Sequence, residues 1–160
     1  MSTAAPLIAS DDVGANLSET ELRAWRGFLR AHHEVVSRLD HELSHEQDLP
    51  LGSYEVLLHL AQAPDRQVRM ARLADSVLLS RSGLSRLIDR LETEGLVERR
   101  TCPTDARGQF AALTDLGLAR LRHAAPMHLR GVRAHFLSRL TEREQAQLAT
   151  LLEKVAPPEE

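Results

Sequence analysis

The sequence predicts a mainly α fold with one small β-hairpin, and three observations carry that expectation. Apolar residues recur at alternating spacings of three and four along most of the chain, the period of a helix with one buried face. Strand-like patterning is confined to residues 96–101 and 109–113, with turn-forming residues between them. Capping residues and helix breakers bracket the periodic stretches, so the helices have defined ends.

Residues 1–16 mix Ala, Ser, Asp and Gly without a period and are expected to form a mobile arm. Ser18 and Glu21 then have the spacing of a capping box. Leu22, Trp25, Leu29, His32, Val36, Leu39 and Leu43 follow as one helical stripe, ended by Asp48, Leu49 and Pro50. A second helix follows Gly52, with Tyr54, Leu57, Leu58 and Ala61 inward, and stops at Ala63, Pro64 and Asp65. Residues 67–69 read as a short extended piece, a short strand in the order of elements, and 70–77 as a short third helix, with a turn at Leu78 and Leu79.

Ser80 is a good N-cap for a fourth helix, whose Leu84, Leu87, Ile88 and Leu91 fall at i, i+3, i+4 and i+7. Gly95 stands where a left-handed residue closes a helix. Residues 96–101 form a strand, 102–108 (CPTDARG) a seven-residue loop and 109–113 the returning strand. Thr114 caps a long helix expected to reach Arg139, which Pro126 should kink or break. Thr141 and Glu144 repeat the capping box, Leu148, Leu151, Leu152 and Val155 share one face, and Pro157 and Pro158 close the chain.

With 42% hydrophobic and 27% charged residues, the 160-residue chain has the make-up of one soluble globular domain, with or without extra helices. Aromatics are only 3%, so the core must be Leu, Val and Ala. The net charge of −3 by itself argues against a nucleic-acid partner, but its distribution argues the other way. Residues 66–107 carry nine arginines against six acids, +3, which leaves −6 on the rest. A basic module sits on an acidic scaffold. The single cysteine, Cys102, rules out an internal disulfide framework and an all-cysteine zinc site. No apolar run approaches the ~20 residues of a membrane span. The N-terminus has no basic region before its short apolar stretch, so a cytoplasmic location is expected.

The order of elements gives a helix-turn-helix followed by a two-stranded wing. If the fourth helix buries its Leu/Ile ridge, its other face must be displayed: Arg81, Ser82, Ser85, Arg86, Asp89 and Arg90. A major groove about 12 Å wide admits such a helix, and arginine can bond guanine O6 and N7 in bidentate fashion. Small Ser82, Gly83 and Ser85 near the helix start permit close approach. Arg107, placed near the loop tip, suits a narrow minor groove of negative potential.

Residues 67–117 resemble the MarR (multiple antibiotic resistance regulator) family. The most specific parts are SRSGLSRLIDRLETEGLVER (80–99) and Asp105, Ala106, Arg107 and Gly108 ahead of Leu113 and Thr114. The flanking helices extend the resemblance over roughly residues 18–156.

The resemblance implies a winged helix-turn-helix at 51–114 and long dimerisation helices at 17–48 and 115–157. It implies a homodimer that binds a pseudo-palindromic operator in double-stranded DNA, represses transcription and lets go when a small anionic or phenolic effector binds. The DNA-contacting roles fall on Ser80, Arg81, Ser82, Ser85, Arg86 and Arg90, with Asp105 orienting Arg107, and Asp89 is expected to pair with a neighbouring arginine. Ala106 precedes a single Arg107 where family wings often carry two adjacent arginines. Leu22, Trp25, Leu29, Leu116, Leu118, Leu121, Leu148, Leu151 and Leu152 are assigned to the dimer interface or the adjacent core. Trp25 and Arg69 are candidates to line an effector cavity, with dimer-core packing the alternative for Trp25. No cofactor, metal or catalytic residue is implied.

Some residues point to other chemistries. His41 and His45, at i and i+4, have a spacing that can hold zinc, so a metal-responsive regulator is the second reading. Glu42 and His45 form a Glu-x-x-His motif, but a di-iron bundle needs a second copy and two more glutamates. Cys102 lies near Arg99, Arg100 and Arg107, which would favour its thiolate, though an inert loop cysteine is the plainer reading. No glycine-rich phosphate loop or nucleophile–base pair stands out, so an enzyme is not expected.

Overall fold

The computed structural model describes residues 17–77, 81–102 and 105–157. The proposed arm at 1–16, the turn at Leu78 and Leu79, the cap Ser80, and Pro158 lie outside them. In chain order the helices are α1 (Glu19–Gln47), α2 (Leu51–Gln62), α3 (Met70–Ser76), α4 (Arg81–Thr93), α5 (Asp115–His135) and α6 (Glu142–Val155). The strands are β1 (Gln67–Arg69), β2 (Val97–Cys102) and β3 (Asp105–Leu113). By its contacts the chain forms two units, Met1–Glu34 and Val35–Glu160.

In the first unit the expected capping box forms. The Ser18 N–H donates to Glu21 Oε2 at 2.7 Å and the Glu21 N–H to Ser18 Oγ at 3.3 Å. These bonds lower the Glu21 pKa. Further along, Trp25, Phe28 and Leu29 are about half exposed. Trp25 stacks on Phe28 with ring centroids 6.2 Å apart.

In the second unit the aliphatic ridges meet in one core. Leu43, Leu49, Val56, Leu57, Leu60, Leu73, Ile88 and Leu91 are all but fully buried. Each contributes on the order of 1.5–3 kcal/mol by leaving water. Tyr54 and Leu57 face inward as expected, and Leu58 and Ala61 are partly buried against the same core. α2 is buried on most of its circumference, including Val56 and Leu60, because helices and the sheet pack on more than one side of it.

Helix ends follow from local chemistry. α1 closes with Asp48 at φ 47°, and Arg120 of α5 donates to the carbonyls of Gln47 and Asp48. α2 has Pro50 at its N-cap, which offers no acceptor side chain, so Asp40 of α1 accepts from the Leu51 N–H at 2.8 Å. Gly95 closes α4 at φ 72°, a left-handed conformation that costs other residues steric strain. Thr114 caps α5 through the Gly117 N–H at 2.9 Å, and Thr141 and Glu144 form the complete capping box of α6.

Two expectations change, the loop at 102–108 and the course of α5. The loop at 102–108 is largely strand: β2 runs to Cys102, β3 begins at Asp105, and the two pair at Cys102↔Asp105. Cross-strand hydrogen bonding there outweighs the turn-forming composition. The short strand expected at 67–69 forms, and it pairs antiparallel with β3 in the sheet order β1-β3-β2. α5 continues through Pro126, because losing one hydrogen bond is offset by the packing of the helix, and it stops at His135 instead of Arg139, where a 3-10 turn takes over. Of the two places given for Leu121, dimer interface or adjacent core, it takes the core, at 5% exposed.

Candidate nucleic-acid interface

α4 is amphipathic in the way its sequence requires. Leu84, Ile88 and Leu91 are buried and Leu87 packs against the core at intermediate burial. Ser82, Ser85, Arg86, Asp89 and Arg90 are exposed on the remaining face. Arg86 makes no ion pair among the described residues, and its guanidinium donors are unengaged by them. Arg81 is the first residue of α4, and Asp105 and Arg107 lie in β3, with their side chains outside the described set. Arg107 therefore stands on a strand and not at the tip of a long loop.

Two arginines near this face are already engaged. Arg90 donates to Ser53 Oγ of α2 at 2.5 Å and lies 3.7 Å from Glu94. Ser53 is the buried polar residue of the core among the described residues, and this bond satisfies its hydroxyl. Arg99, on β2, lies across α4. Its guanidinium meets Asp89 at 2.6 Å and Glu92 at 2.5 Å, and reaches the Ser85 carbonyl at 3.4 Å. Its backbone N–H donates to Glu92 at 3.1 Å. Burial works against the Arg99 charge, but the hydrogen bonds and attraction of Asp89 and Glu92 outweigh it and hold the group protonated above its ordinary range. The expected pairing of Asp89 with a neighbouring arginine is met by Arg99.

The arrangement is a helix displaying Ser85 and Arg86 beside a three-stranded sheet whose β2 lies against it through Arg99. The MarR family profile matches residues 47–108. Among solved structures, the MarR family transcriptional regulator Sco3205 of Streptomyces coelicolor, determined in complex with DNA, superposes with a TM-score of 0.83. It is 38% identical, over 91% of this chain and 91% of that one. The chain belongs to the MarR family of transcriptional regulators. AbsC, another MarR family regulator of Streptomyces coelicolor, is 35% identical with a TM-score of 0.81, over 89% of this chain and 95% of that one. The regulator MhqR of Bacillus subtilis is 25% identical over 87% of this chain and 93% of its own length.

The winged-helix architecture of this MarR-family chain places the remaining predicted residues as follows. Arg69, at the end of β1, lies over the Phe110 ring at 5.4 Å and lines a surface cleft of about 550 Å³ together with His59, Gln62, Val68 and Arg72. Trp25 is in the first unit, 53% exposed. Of the other proposed dimer residues, Leu118 packs partly against the core, Leu22 and Leu148 are intermediate, and Leu29, Leu116, Leu151 and Leu152 are exposed.

The histidines take separate partners. The His41 and His45 rings lie 4.2 Å apart, tilted by 46°, His135 meets Glu42 at 2.6 Å, and His128 packs on Tyr54 at 4.4 Å. Among the described residues no group of three or more potential metal ligands converges, so nothing favours the metal reading. No described helix is long and apolar enough to cross a membrane.

The residues missed from the sequence are Arg99, Ser53 and Asp40. Arg99 has a signal in retrospect. Two acids three apart on a helix, Asp89 and Glu92, call for a cation from elsewhere in the fold. Ser53 and Asp40 gave none, because a serine in a first helical turn and an aspartate inside a long helix read as ordinary surface residues.

Proposed function

We propose that this protein is a homodimeric transcriptional repressor that reads a pseudo-palindromic operator and releases it when a small-molecule effector binds. The observation that carries the reading is the division of α4: Leu84, Ile88 and Leu91 are buried, while Ser82, Ser85 and Arg86 face solvent. In this reading each recognition helix enters a major groove, the two centred about 10 base pairs apart, one turn of the duplex. Ser80, Arg81, Ser82, Ser85, Arg86 and Arg90 supply base and phosphate contacts, with Arg90 turning from Ser53 toward a phosphate. Arg107, oriented by Asp105, enters the flanking minor groove. The dimer is built from the helices of 17–48 and 115–157, and supplies the two-fold symmetry that a palindrome matches. A bound effector would favour a lobe spacing that does not fit DNA, shifting the population away from the bound form.

The likeness to Sco3205, a regulator solved with DNA, supports the DNA partner. The experiment is fluorescence anisotropy of the purified full chain with duplexes tiled across the DNA upstream of its own gene, at low and at physiological ionic strength. Saturable binding of one duplex, with random duplex displaced as salt rises, is the expected result. Equal affinity for all duplexes, or none, would reject operator recognition. Loss of transcription from that promoter in a reconstituted assay would establish the sign of control, and activation would reverse it.

A further inference from the structure

We propose that Arg99 is the positioning residue of the DNA interface: from wing strand β2 it neutralises Asp89 and Glu92 and braces the turn of α4 that carries Ser85 and Arg86. The inference rests on the DNA-binding reading of α4.

Ser85 and Asp89 are four apart and so share a helix face. The Asp89 side chain is 61% exposed, a carboxylate one turn beyond the residues proposed to approach phosphates. Left alone, it and Glu92 would repel the DNA backbone, and at that separation physiological salt screens them only in part. One guanidinium meets both at 2.6 and 2.5 Å. Its side chain is only 22% exposed and lies along α4, so it is occupied with the helix and does not reach outward. The 3.4 Å contact to the Ser85 carbonyl brings the same group to the backbone of the DNA-facing turn. Because Arg99 belongs to β2, these bonds also set the angle between wing and recognition helix. A lysine is a point charge without the planar fork, and would hold one carboxylate at a time.

The test is a double-mutant cycle in the full chain. Arg99→Met, Asp89→Asn with Glu92→Gln, and the triple combination are compared for affinity toward a fluorescent duplex selected from random-sequence DNA by the wild-type protein. Measurements are made below the melting temperature of every variant.

Arg99→Met is expected to weaken binding by about tenfold or more in the wild-type background and by less than about threefold when both acids are neutral. Arg99→Lys should fall between wild type and Arg99→Met, and carries the same cycle if the Met variant does not fold. An equal loss in both backgrounds would mean that Arg99 acts on DNA itself and would overturn the proposal. A wild-type protein that selects no duplex would instead overturn the DNA reading beneath it.

Discussion

Single residues separate into those that face outward and those that tie the fold together. Arg86 is the exposed arginine of α4 without an ion pair among the described residues, so replacing it with Ala should cost on the order of 1–3 kcal/mol of operator affinity and relax base preference. Arg107→Ala should instead weaken all duplexes alike and reduce the salt slope by about one, because a phosphate or minor-groove charge is removed. Titrations at several salt concentrations distinguish the two.

His128 gives a pH effect of definite sign. Burial lowers its pKa, and its Nδ1 finds no partner among the described residues. The unfolded chain therefore binds this proton more readily than the folded one. The stability His128 supports is complete above its unperturbed pKa of 6.5 and is lost as pH falls through that value toward the lower folded pKa. His128→Phe keeps a ring against Tyr54 and removes the titration. Its urea midpoint should fall less than that of wild type between about pH 7.5 and 5.5. Equal falls would remove His128 from the account.

Elements are fixed by close approaches as much as by their stripes. The first turn of α5 lies on the end of α4 and the start of β2 because Gly117 has no side chain. A Cβ there would stand 2.1 Å from the Leu96 carbonyl oxygen and 2.7 Å from Leu113. Gly117→Ala should therefore destabilise by roughly 1–3 kcal/mol or more, read as a lower melting temperature. Gly52, in the first turn of α2, has nothing within 4 Å of its would-be Cβ. Gly52→Ala should stabilise by about 0.4–1 kcal/mol through the lost freedom of the unfolded chain. Opposite signs for the same chemical change would test the packing directly.

At the scale of the whole molecule, the single chain leaves an amphipathic helix half used. Leu148, Leu151, Leu152 and Val155 follow at i, i+3, i+4 and i+7, yet α6 has no buried residue. Leu151 is 57% and Val155 84% exposed. An apolar stripe of this length in water favours association with a second surface, and a homodimer is the proposed cover. Leu151→Glu should shift the protein toward the monomer in light scattering and lower operator affinity with it, since a palindrome needs two linked heads. A variant that remains fully dimeric would place the interface elsewhere.

The sequence by itself determined the helices, the caps at Ser18, Thr114 and Thr141, the ridge of α4 and the existence of a hairpin, because each depends on neighbours within one or two turns. The MarR resemblance was legible for the same reason, being concentrated in one continuous stretch. Tertiary structure decided what depends on distant parts of the chain meeting. Arg99 finds Asp89 only because β2 folds back over α4, Arg90 finds Ser53 across 37 positions, and β1 finds its partner only when β3 offers its edge. Hydrophobic period is a local property of sequence, whereas the partner of a charge or of a strand edge is set by how the elements pack.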